Sequence, residues 1–133
     1  MRKNIMVVLS LVLVLVLGLI TSGCNNLIKN DKEIILGANY EMTGALAAVA
    51  KQTVNGINLA IKQTNEQGGV LGKQIKLIIA DNKSEPSESA NAITKLIKND
   101  NVKLVFGSVA SSNVLATVQI AHDSKIPLIT ATD

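Results

Sequence analysis

The sequence predicts an α/β domain, a parallel sheet with helices on both faces. Three observations carry this. Short apolar runs alternate with stretches of helical period from Glu33 to the end of the chain. The helical stretches are long enough to cross between parallel strands. The changes of period fall on Gly, Pro and Asn, the residues that end regular structure.

The first strand is Glu33-Ile34-Ile35-Leu36-Gly37-Ala38-Asn39, a nearly unbroken apolar run of the kind buried on both faces. Met42 to Ala45 is a loop. From Leu46 to Glu66 the period becomes helical, with Ala50, Val54, Ile57 and Ile61 on one face. Gly68-Gly69 ends that helix, because glycine adopts the left-handed conformation past a C-terminus without strain. Lys73 to Asp81 is the second strand, with Ile75, Leu77 and Ile79 alternating. Ser84-Glu85-Pro86 opens the second helix, with Pro86 suited to the first helical position. Ala90, Ile93 and Ile97 mark its core face. After a turn at Asn99-Asp100-Asn101, Val102 to Phe106 is the third strand. Gly107 to Ser112 is a loop of small residues. The third helix follows, with Val114, Val118 and Ala121 inward, and ends near Ser124-Lys125. Ile126 to Thr130, entered through Pro127, is the fourth strand.

Ahead of this domain the chain has a different character. Arg2 and Lys3 precede an apolar run from Ile5 to Ile20, and Thr21-Ser22-Gly23 leads to Cys24. A basic start, an apolar stretch and a small-residue cleavage region make residues 1–23 a secretory signal. The run is shorter than the ~20 residues of a spanning helix. Small residues before a cysteine resemble a lipobox, with Thr21 where Leu is usual. That resemblance implies a lipidated Cys24; the alternative is an uncleaved membrane anchor with an incidental cysteine. Polar residues make 24–32 a tether, and the domain runs over 33–133. Two acyl chains anchor stably where one binds only marginally. The expected location is therefore the extracytoplasmic face of the cell membrane, in an exported, lipid-anchored protein.

Composition excludes several classes. The 133 residues carry a formal charge of +3, but Arg2 and Lys3 lie in the leader, leaving 11 basic and 10 acidic residues beyond it. Aromatics are 2% of the chain and the lysines are scattered, so no nucleic-acid partner is expected. The one cysteine permits neither an internal disulfide nor a cysteine-rich metal site.

Two small-residue loops invite a ligand reading. Gly68 to Lys73 fails as a phosphate loop: three residues separate Gly68 from Gly72, Gln74 follows Lys73, and the segment leaves a helix rather than opening one. Gly107 to Asn113 follows a buried strand and opens a helix, where ligands of parallel sheets sit. Its backbone amides, including that of Ala110, and the hydroxyl of Ser111 or Ser112 suit a carboxylate. The same groups would serve if Ser111 or Ser112 only capped the helix, and the residues leave both readings open. His122 stands alone, and Asp81, Glu85 and Glu88 form no acid/base pair. No nucleophile, cofactor motif or metal-spaced cluster appears, so an enzyme is not expected.

The ordered series Leu36-Gly37, Met42 to Ala47, Asn55 to Ala60, Gly68 to Lys73, Asp81 to Pro86, Gly107 to Ser112 and Ile126 to Thr130 resembles the leucine/isoleucine/valine-binding family. The resemblance runs over nearly all of Ile34 to Asp133. It implies the incomplete N-terminal lobe of a type I periplasmic binding protein, the solute-binding component of an ABC importer for branched-chain or related amino acids. A transporter permease would be its partner. In the resemblance, Ser111 falls where the α-carboxylate is held and Thr132 where the α-ammonium is received. The family's leucine-specific members often carry a disulfide between the positions of Ser84 and Ala110, and both cysteines are missing here. A Tyr common in the first loop is replaced near Val49. A half-lobe leaves a ligand's charges in solvent, so this chain by itself is expected to bind amino acids poorly or not at all. A receptor ectodomain of the same fold and a small exported α/β enzyme are the alternatives.

Overall fold

The computed structural model describes residues 33–130; the leader, Cys24, the tether and Thr132 lie outside the described residues. Four strands alternate with three helices: β1 (Glu33–Tyr40), α1 (Ala47–Glu66), β2 (Gln74–Asp81), α2 (Pro86–Lys98), β3 (Val105–Phe106), α3 (Ser111–Asp123) and β4 (Leu128–Ile129). The strands form one sheet in the order β2-β1-β3-β4, with every pair parallel. β1 pairs with β2 along its whole length, from Glu33 opposite Gln74 to Tyr40 opposite Asp81. On its other side it pairs with β3 at Gly37–Val105 and Ala38–Phe106.

The period of two along β1 sorts the core into two layers. Ala38 and Tyr40 pack with Ala50 and Val54 of α1, joined by Leu77 and Phe106. On the opposite face Ile93 and Leu96 of α2 pack with Val102, Val105 and Ala121, joined by Ile35 and Ile78. Gly37 faces this second layer, where Leu96 and Val105 leave no room for a larger side chain. Helices therefore cover both faces, as the alternating pattern requires.

Three expectations need correction. β3 and β4 are two residues each, shorter than the runs Val102–Phe106 and Ile126–Thr130. The chain still follows β1 outside the regular ladder, since Lys103 N donates to Ile35 O at 2.8 Å and Gly37 N donates to Leu104 O at 2.8 Å. Along β2, Ile78 and Ala80 join the larger core while Ile79 is 42% exposed, because β2 is the edge strand and its α1 side is thinly covered. On α3 the buried residues are Asn113, Thr117 and Ala121, whereas Val118 is 47% exposed. The helix is rotated so that polar Asn113 reaches a buried hydrogen-bond network, and apolar periodicity cannot register that choice.

Candidate functional site at the carboxyl end of the sheet

Chain order turns around at β1, which lies between β2 and β3. The loops leaving β1 and β3 therefore run to opposite faces, the arrangement that places a ligand crevice at the strand ends of open parallel sheets. The residues lining this end decide what it can hold.

β3 leaves the sheet hard against β1. Gly107 has φ of 139°, and a Cβ there would overlap the carbonyl oxygen of Asn39. Only glycine combines that conformation with that approach. Ser108 then donates its hydroxyl to Asn39 O at 3.0 Å and accepts from Asn82 Nδ2 at 3.0 Å. The next two amides meet a side chain absent from the expected site: Val109 N and Ala110 N donate to Glu41 Oε2 and Oε1 at 3.0 and 3.1 Å. Asn113 Nδ2 adds a third bond to Glu41 Oε1 at 2.9 Å. The Glu41 carboxylate is 0% exposed, and it sits where the helix dipole of α3 is positive.

Behind Glu41 lies a closed ring of buried amides. Asn113 Nδ2 donates to Asn82 Oδ1, Asn82 Nδ2 to Asn39 Oδ1, and Asn39 Nδ2 to the carbonyl and hydroxyl of Ser89. Ser89 Oγ completes the circuit by donating to Asn113 O at 3.2 Å. The ring ties the ends of β1 and β2 to the first turns of α2 and α3. Only Asn113 Oδ1 is buried without a partner among the described residues. Nearly full satisfaction makes such a network rigid.

The expectation of free amides is thus overturned for Val109 and Ala110, whose N–H groups an internal carboxylate has taken. The capping alternative fails as well. Ala110 is at the N-cap, no side chain caps the helix, and Ser111 and Ser112 occupy its first two positions. Both serines are exposed, and among the described residues neither their amides nor their hydroxyls have a partner. His122 is exposed on α3, remote in sequence from this turn.

Asp81 pins the neighbouring loops. Thr43 donates to it through its hydroxyl at 2.7 Å and its amide at 3.1 Å, and Lys83 N donates at 2.9 Å. Burial pushes the carboxyl up, but the bonds from the Thr43 hydroxyl and the amides of Lys83, Thr43 and Met42 outweigh it and hold Asp81 below the usual carboxylate range. A carboxylate so occupied is a poor general base. A groove of about 390 Å³ beside β2 and α2 contains Lys83 and Lys95. Both are engaged, with Glu88 at 3.4 Å and Asp100 at 2.8 Å, so the groove offers no free cation. Among the described residues no group of three or more His, Cys, Asp or Glu is placed to hold a metal ion.

Sequence reasoning missed Glu41. The available signal was its place, an acid directly after the buried strand end where the crevice opens. Its partners are 68 to 72 residues away, and apolar periodicity is blind to them.

A periplasmic binding protein family model matches residues 33–133. The Leu/Ile/Val-binding protein BraC3 of Rhizobium johnstonii is 29% identical over 100 residues, 75% of this chain and 27% of the relative. Among solved structures, the branched-chain amino acid transporter substrate binding protein LivJ of Streptococcus pneumoniae, in complex with isoleucine, superposes with a TM-score of 0.74 at 38% identity, over 76% of this chain and 29% of that one. A Rhodopseudomonas palustris solute binding protein in complex with 3,4-dihydroxybenzoic acid superposes with a TM-score of 0.71 at 31% identity, over 77% and 28%. The chain spans about a quarter of the length of the curated relatives it matches.

Proposed function

Since the chain belongs to the periplasmic binding protein family, we propose that it supplies the first part of the ligand-binding lobe of an extracytoplasmic solute-binding protein that serves an ABC importer. The solute class is branched-chain or related amino acids. One observation carries the reading: Ser111 and Ser112 present two amides and two hydroxyls without a partner among the described residues, at a helix N-terminus on a turn whose Val109 and Ala110 amides and Ser108 hydroxyl are already fixed. A ligand α-carboxylate accepts from the Ser111 hydroxyl and these amides. Thr132 receives the α-ammonium, Cys24 carries the lipid anchor, and a permease takes up the solute. The relatives named Leu/Ile/Val-binding and the isoleucine complex support this ligand class.

The test is a chimera. Residues 33–130 replace the matching segment of the Streptococcus pneumoniae relative, and isoleucine binding is measured by calorimetry. The chimera should bind isoleucine, and Ser111→Ala should weaken binding by about tenfold, the worth of one hydrogen bond to a charged group. A folded chimera that binds no amino acid would sink the assignment. Titrated by itself, the 133-residue chain should bind leucine, isoleucine and valine weakly or not at all, because closure of two lobes supplies most of the affinity; micromolar binding would contradict that.

A further inference from the structure

We propose that Glu41 is the resident anion of this site, a positioning residue that loads the N-terminus of α3 before any ligand arrives and leaves an incoming carboxylate only Ser111 and Ser112. The second half of that statement rests on the ligand reading above; the first half stands on geometry alone.

A buried carboxylate is costly unless its oxygens are met by strong donors. Glu41 is met by three N–H groups at 2.9 to 3.1 Å, two from the backbone of the turn and one from Asn113. All three belong to the turn after β3 or the first turn of α3, whereas Glu41 itself directly follows β1. The carboxylate therefore clamps one loop of the crevice to the other. It fixes the direction in which the chain enters α3, and with it the direction of the next two amides. It also offsets the positive end of the helix dipole from within. A glutamine of the same shape would keep one acceptor oxygen and turn an N–H donor toward the remaining donors, so a charge-holding role and a packing role make different forecasts.

The experiment uses the full 133-residue chain in mild detergent, with Glu41→Gly and Glu41→Gln, and sodium formate as the probe against sodium chloride at equal ionic strength. Glu41→Gly empties a carboxylate-sized space between the donors. Formate should raise the melting temperature of this variant by several degrees and leave the wild type unmoved. Glu41→Gln keeps the shape but not the charge. At least one of its Val109 and Ala110 amides should lose at least about tenfold in hydrogen-exchange protection and shift upfield in the proton spectrum, while amides in the middle of α1 stay as they were. If Glu41→Gly does not fold, the glutamine variant decides the matter. Equal protection at Val109 and Ala110 in the wild type and Glu41→Gln, or equal formate effects on the wild type and Glu41→Gly, would overturn the proposal. Neither arm contains an amino acid, so failure of the ligand assignment leaves both readouts intact.

Discussion

Two turns that contain glycine sit at opposite ends of the sheet, and they are built on different principles. The turn from Gly68 to Lys73 closes on itself. Val70 and Lys73 exchange backbone bonds of 2.9 and 3.0 Å, Gly69 N returns to Thr64 O, and Leu71 at its tip is 93% exposed. The turn from Gly107 to Ala110 takes its partners from far along the chain, from Asn39, Glu41 and Asn82. A self-contained turn connects elements. A turn held by remote buried groups holds its remaining groups still, and still groups at a strand end can bind a ligand with little ordering cost. Small residues alone do not separate the two cases; the origin of the partners does.

The sharpest way to break the comparison is a matched pair of alanine substitutions. Gly107→Ala meets both an unfavourable φ and the backbone oxygen of Asn39, and should cost about 3 kcal/mol or more in urea unfolding. Gly72→Ala has φ of 74° and open space around the new Cβ, so it bears only the left-handed penalty of about 1 kcal/mol. Similar losses from both would mean that the turn after β3 is no more constrained than its counterpart. Between these extremes lies Asn82→Ala, which strips a partner from Asn39 Oδ1, from Ser108 Oγ and from Asn113 Nδ2. Leaving those groups buried should cost about 2 to 3 kcal/mol. A loss below about 1 kcal/mol would show that the ring relaxes rather than holds.

How much of this was legible beforehand follows the same division. The strand and helix order, the helical face at Ala50 and Val54 and the turn at Gly68 were readable, because each depends on neighbours within a few residues. On α3 the expectation holds at Ala121 and fails at Val118, which is exposed while Asn113 and Thr117 are buried, Asn113 through bonds that hydropathy does not register. The exposed pair Ser111 and Ser112 was located by its position after a strand. The loss of the Val109 and Ala110 amides to Glu41 was invisible, since it joins the ends of two strands far apart in sequence.

A smaller effect probes the loops that flank the crevice on its β2 side. The bonds from Thr43 and Lys83 hold Asp81 below its ordinary value of 3.8. A depressed carboxyl contributes stability that is complete above the unfolded value and is lost as the pH falls through the native one. Wild type should therefore exceed Asp81→Asn at neutral pH by less than about 1 kcal/mol, given how exposed the carboxylate is. The two unfolding midpoints should converge as the pH falls from about 5 to below 3.8. A constant difference across that range would mean that the carboxylate charge contributes nothing.

The smallest effect belongs at the tip of the self-contained turn. Leu71 has φ of 52° and is 93% exposed, so its side chain touches little and its backbone already bears the left-handed conformation. Replacing it by serine removes no buried area and alters no partner of the Val70–Lys73 bridge. Stability should stay within about 0.5 kcal/mol of wild type, the range for surface changes without a packing or hydrogen-bonding role. Hydrogen exchange at Val109 and Ala110 should not change either, because the backbone bonds of the turn at Leu71 run to Thr64 and within the turn itself. Were Leu71→Ser to loosen those two amides, the ends of the sheet would be coupled, and the turn that holds Ser111 and Ser112 would depend on more than the ring and Glu41 beneath it.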